Sequence, residues 1–259
     1  MLRRFHPGWL RKRAWLPTAF RPFECEQLIR VGRGADGGYV IDIKSLREAK
    51  FLLSGGIDID WSFEADFLQR NPVPLVAFDA SVGIEAFEKK ANEPRGLFKS
   101  RVDYQKISYE YSKFFIGPRK HVAQFIGRNN AAGQVVIEQI ALEYLPVKQL
   151  SFVKLDIEGS EYDVLDQLLE IAPQLSGLVM ELHDLPFHIH QVLQFIEKIP
   201  LKICHLHINN WQPLNLQCIP KVIELSFSRY CSDVPIRNSL PNVLDRACCN
   251  SAPDFQLNF

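Results

Sequence analysis

Between about residue 50 and residue 228, short apolar runs alternate with stretches of helical spacing. This alternation most restricts the fold, because it is the pattern of a mostly parallel sheet covered by helices. Residues 50–54, 74–79, 151–156 and 178–182 read as buried strands, and 120–126 as a weaker one. Residues 63–69, 83–91, 134–144, 160–171 and 187–199 have helical spacing. Ser81 and Ser160 stand where capping residues would open two of these helices, with Glu85 and Asp163 near their positive ends. Residues 201–208 and 221–227 are strand patterns joined by a loop with Pro and Asn, which predicts an antiparallel ending. Tyr104, Ile107, Tyr111, Phe114 and Phe115 suggest an inserted amphipathic helix within 96–118. The expected division is a basic arm and helix over 1–30, one domain over 31–229, and a tail over 230–259 packed on it.

Composition excludes several classes. Thirty basic and thirty acidic side chains cancel, so no overall field draws the chain to nucleic acid. No apolar run is long enough to span a bilayer, and no signal-peptide core is present. Six cysteines without a C-x-x-C pair read as reduced thiols in a cytoplasm. A zinc site built from Cys204, Cys218, Cys231 and nearby histidines is disfavoured, because the spacings match no finger. Arg3, Arg4, Arg11, Lys12, Arg13 and Arg21, with Trp9 and Trp15, form an arm suited to weak peripheral contact with an anionic surface. A solvated tail is its expected state.

Two glycine-rich stretches compete as cofactor loops. Gly32, Gly34 and Gly37 match G-x-G-x-x-G. The match needs a strand before it and a helix after it, whereas residues 24–30 look helical and Tyr39-Val-Ile reads as strand. Downstream, residues 51–58 form a strand running into Gly55 and Gly56, followed by Asp58. About twenty residues on, the next strand ends in Asp79. Glycines let the backbone approach a ligand closely, and an Asp at that strand end suits ribose hydroxyls or, with Ser81 nearby, the cap of the next helix. These glycines lack pyrophosphate spacing. S-adenosylmethionine, which has a ribose but no phosphate, is the expected cofactor, bound through Gly55, Gly56, Asp58 and Asp79.

Residues 153–161 read VKLDIEGSE. If the strand continues, Asp156 and Glu158 share a face at its carboxyl end, where open α/β sheets bind ligands. The next strand offers Glu181 and His183 by the same spacing, and the following one His205, His207, Asn209 and Asn210. Buried carboxylates need cations, donors or water. A sulfonium cofactor carrying an amino group would supply positive charge, as would a metal.

VKLDIEGSEYDVL resembles the K-x-D-x-E-G-x-E signature of FkbM-type methyltransferases. The DGGYV stretch, the Gly-rich first strand, the acid after the second, the E-L-H strand and the H-x-H-x-N-N strand follow in the same order. The first strand departs from the commoner D-x-G-A-N-x-G form. The resemblance implies an α/β, Rossmann-like class I methyltransferase with a seven-stranded, mostly parallel sheet, an antiparallel last strand, and helices on both faces. It implies methyl transfer to oxygen, with a glycan or small-molecule acceptor. It also places Tyr39 and Arg33 near the methionine end of the cofactor.

His183 is the expected general base, since imidazole titrates near neutrality. Glu181 and Glu158 would orient it or hold acceptor hydroxyls, and Asp156 would face the cofactor. No residue is assigned to metal, and a divalent ion on Asp156, Glu181 and His183 is the less favoured route. A nicotinamide oxidoreductase and a non-catalytic binding module remain the alternatives.

Overall fold

The computed structural model describes residues 12–92, 102–237, 240–252 and 254–259. Arg3, Arg4, Trp9 and Arg11 of the basic arm lie outside the described residues. The central sheet has seven strands: β1 Leu52–Gly55, β2 Leu75–Phe78, β3 Arg119–Val122, β4 Ser151–Leu155, β5 Leu175–Leu182, β6 Lys202–Ile208 and β7 Ile223–Ser228. Their spatial order is β6-β7-β5-β4-β1-β2-β3. Only β7 runs against its neighbours, inserted between β5 and β6. The order reverses between β1 and β4, which opens a crevice at the carboxyl ends of those strands.

Alternate strand residues feed two cores, as the period of two requires. On one face, Leu52, Leu75, Phe152 and Val179 pack with Leu46 of α1 (Ile43–Glu48) and with Phe63 and Phe67 of α2 (Ser62–Arg70). On the other, Leu53, Val76, Val153, Leu178 and Met180 pack with α5, α6 and α7 (Ile137–Tyr144, Leu165–Ile171, Leu185–Lys198). Near-continuous apolar strands are the consequence of burial on both faces. The inserted helix is α4, Tyr104–Phe114, packed on α3, Ile84–Asn92, through Phe87 and Tyr111.

Three local expectations need correction. Residues 24–30 are not a helix: Leu28–Val31 is a strand paired antiparallel with Tyr39–Asp42. Ile29 and Val31 are β-branched, and the partner strand satisfies their backbone groups. The glycine stretch is therefore the connection of a hairpin. The weak strand at 120–126 is two strands, β3 and Phe125–Ile126, and the latter pairs with Gln134–Val135. Ser160 makes no side-chain cap; a 3-10 turn, Glu161–Asp163, precedes α6. Among the described residues, no helix is long and apolar enough to cross a membrane.

Candidate active site

A cavity of about 730 Å³ opens at the carboxyl ends of β1, β2, β4 and β5. Three loops and the hairpin build it. After β1, Gly56 takes φ +73° and Asp58 φ +40°. A Cβ on Gly56 would lie 1.7 Å from the Asp156 carbonyl oxygen, so only glycine lets the β1 and β4 loops touch. The signature Lys154 is buried beneath them; its ammonium donates to the Gly56 carbonyl and lies 3.8 Å from Glu64 Oε1. The Ser54 hydroxyl donates to the same Glu64 carboxylate. Removing one partner from such a buried pair costs about 3–5 kcal/mol, so Lys154 anchors the loop.

Asp79, at the end of β2, accepts four hydrogen bonds. Oδ2 takes the N–H groups of Ile57 and Asp58 at 2.9 and 3.0 Å. Oδ1 takes the N–H and hydroxyl of Ser81 at 2.8 and 2.6 Å. Burial alone would raise this carboxyl, but these donors outweigh it and hold the group below its ordinary range. The four acceptor positions of the carboxylate are thus committed within the protein. Asp79 lines the cavity while bracing the Gly56–Asp58 loop.

The carboxylates of VKLDIEGSE converge by a different route from the one expected. β4 ends at Leu155, and Glu158 sits in the following loop at φ +53°. A turn, not the pleat of a strand, brings Asp156, Glu158 and His183 together, with donor atoms within 4.8 Å of one another. His183 Nδ1 is 3.0 Å from Glu161 Oε1, while Nε2 faces Glu158 Oε2 at 3.6 Å and Glu181 Oε1 at 3.7 Å. Glu161 also accepts from the N–H groups of Ile157 and Gly159. One fully buried carboxylate therefore orders both the loop and the imidazole. Burial disfavours the charged imidazole, but Glu161, Asp156 and Glu158 outweigh it and raise His183 above its ordinary value.

Tyr39 is buried behind these acids and does not line the cavity. Its hydroxyl donates to Asp156 Oδ2 at 3.0 Å and lies 3.4 Å from Glu181 Oε2. The Asn209 amide donates to Glu181 Oε1 at 2.8 Å and to Asp36 Oδ1 at 3.3 Å. Burial, then Asp156, Glu224 and Asp36, push Glu181 well above the carboxylate range, and burial with Glu224 raises Asp36. The hairpin presents Arg33 and Asp36 to the cavity, with Arg33 paired to Asp60 at 2.9 Å.

The structure thus brings Gly56, Asp58, Asp79, Asp156, Glu158 and Glu181 to one cavity, with His183 beside it. Gly55 stays inside β1 between Ile126 and Leu155. His205 and His207 do not join the crevice. His205 Nε2 pairs with Asp245 at 3.0 Å, and His207 sits between Glu224 and Asp254 at 3.1 Å each. Their strand faces the C-terminal segment, so spacing alone misplaced them. Lys154 and Glu161 belong to the K-x-D-x-E-G-x-E signature, but their roles as loop anchors emerge only in the folded chain. Asp36 carried no such signal, because its place depends on the hairpin.

The strand order, the single reversed strand and a crevice walled by strand-end carboxylates define a class I methyltransferase, the fold class that uses S-adenosylmethionine. The chain belongs to the FkbM methyltransferase family: residues 54–200, more than half its length, match the Methyltransferase FkbM domain. No curated protein sequence matches it significantly. Among solved structures it is similar to the precorrin-6y C5,15-methyltransferase of Geobacter metallireducens, at 11% identity, covering 71% of this chain and 82% of that one with a TM-score of 0.35. An rRNA methylase from Streptococcus thermophilus shares 13% identity over 71% and 92% of the two chains, TM-score 0.37. The Methanococcus jannaschii fibrillarin pre-rRNA processing protein shares 9% over 83% and 86%, TM-score 0.38.

Proposed function

We propose that this chain transfers the methyl group of S-adenosylmethionine to a hydroxyl of a glycan or small-molecule acceptor. The observation that carries the reading is the posture of His183, fixed by Glu161 on Nδ1 and turned by Nε2 toward Glu158 and Glu181 beside the cavity. The residues present fit the cofactor. The cavity wall carries Asp36, Asp58, Asp156, Glu158 and Glu181, while its Lys154 and Arg33 are already paired, so it favours a ligand with cationic groups. Gly56, Asp58 and Asp156 would hold that ligand, and Asp79 would reach a ribose by exchanging its Ser81 bonds.

When bound, S-adenosylmethionine supplies an electrophilic methyl group on a sulfonium. With Nδ1–H donating to Glu161, His183 Nε2 carries the lone pair and takes the acceptor hydroxyl's proton. Glu158 holds the imidazolium that results, and Glu181 orients the acceptor. Positioning contributes most of the acceleration, with aligned reactants worth about 7–11 kcal/mol.

The test is turnover of labelled methyl donor with a panel of hydroxylated acceptors. His183→Ala is expected to lower kcat about 10²–10⁴-fold with cofactor binding retained. Full turnover in both His183→Ala and Glu158→Ala would sink the assignment. The proximity of Asp156, Glu158 and His183 supports a second reading, in which a divalent ion acidifies the acceptor hydroxyl. Loss of activity with a chelator, restored by Mg²⁺ or Mn²⁺, would favour it over unaided base catalysis.

A further inference from the structure

Away from the crevice, two sulfurs that are 206 positions apart in sequence meet. Cys25 Sγ and Cys231 Sγ are 2.7 Å apart, in direct contact. The backbone sets this approach. Glu24 N–H donates to the Val234 carbonyl at 2.8 Å, Ser232 N–H to the Glu24 carbonyl at 2.8 Å, and Phe23 N–H to the Ile203 carbonyl at 2.8 Å. Both cysteines are half-buried, with the buried Cys204 thiol beneath them, on β6. The two thiols are unequal. Hydrogen bonds from Cys204 and Cys25 hold Cys231 below its ordinary value. Cys204 favours the Cys25 thiolate, but Cys231 and burial outweigh it and push that thiol up.

We propose that Cys25 and Cys231 form a peroxide-reactive dithiol that closes to an intramolecular disulfide. The Cys231 thiolate attacks an oxygen of hydrogen peroxide; the S–O bond forms, the O–O bond breaks, and hydroxide leaves and is protonated to water. The Cys25 sulfur then attacks Cys231 Sγ. The S–S bond forms, the S–O bond breaks, and the departing hydroxide takes the Cys25 proton as a second water. For hydrogen peroxide, two thiols are oxidised and one peroxide is reduced to two waters. Cys25 lies three residues before the hairpin strand Leu28–Val31, and Cys231 lies three residues after β7 ends. The bond therefore fastens the segment that leads to Arg33 and Asp36 onto the sheet.

The experiment treats the reduced full chain with one equivalent of hydrogen peroxide. Free thiols are then alkylated, the chain is digested, and the peptides are weighed. The expected product joins the peptides of Cys25 and Cys231, about 2 Da lighter than their reduced sum. Cys231→Ser should give no such product, and Cys204→Ser should still give it. The oxidised chain should melt about 5–10 °C higher, returning on reduction. Full alkylation of both cysteines after peroxide, or a crosslink that runs through Cys204 instead, overturns the proposal.

Discussion

The role proposed for His183 depends on one hydrogen bond. Its ring is pinned by Glu161 at 3.0 Å, and the same carboxylate caps the loop carrying Glu158. The charged imidazole is favoured in the fold, so its stabilising contribution is complete below the ordinary histidine value and fades as pH rises through the raised one. As the proposed base, His183 must be neutral, so kcat/KM should climb with pH, with a midpoint above about 6.5. Glu161→Gln should move that midpoint downward and reduce kcat. An unchanged midpoint in a pH–rate profile would remove Glu161 from this role. The gathering of His183, Glu158, Glu181 and Asp156 at one end of the sheet was legible from residue type and strand-end position. Glu161 was legible only as part of a motif, because its role appears once the loop folds back on itself.

At the scale of elements, the crevice depends on two loops in backbone contact. Gly56 has φ +73°, and the Asp156 carbonyl fills the space a side chain would need. Gly56→Ala is expected to cost at least about 3 kcal/mol and to displace the Asp156 loop, since neither backbone can yield cheaply. Urea unfolding checks the first effect, and weakened cofactor binding in the folded fraction checks the second. A stable variant with normal affinity would show that the contact is dispensable. The glycines, the following Asp58 and the acid at the end of β2 were visible as a strand, turn and helix pattern. What the pattern could not give was the employment of Asp79. Two of its four donors come from one loop, 21 and 22 positions upstream, and two from Ser81 nearby. Likewise, residues 24–30 read as helix in isolation, and pairing with Tyr39–Asp42 decides otherwise.

Across the whole molecule, the two ends of the described chain are clasped. Arg13–Trp15 pairs parallel with Gln256–Asn258, and Leu257 is buried in the larger core with Ala14. The same C-terminal segment supplies Asp245 to His205 and Asp254 to His207. Leu257→Ala should destabilise the fold by about 2–4 kcal/mol, lowering Tm by at least about 4 °C in a chain of this size. Thermal unfolding that leaves Tm unchanged would mean the clasp carries no stability. The tail from residue 230 has little periodicity, so its docking was visible only as a general expectation.

The amino-acid sequence by itself determined the alternation of strands and helices, the family signature, and the strand ends at which the carboxylates gather. These are local properties: a period of two or 3.6 and a strand's last residue are read within one segment. Only the tertiary structure decided which groups become partners. It turned the glycine stretch into a hairpin tip, sent His205 and His207 to the C-terminal segment, committed Asp79 to a loop, and placed Cys25 against Cys231. Hydrogen bonds and sulfur contacts act over about 3–4 Å. Residues 200 positions apart acquire such distances only when the sheet has assembled.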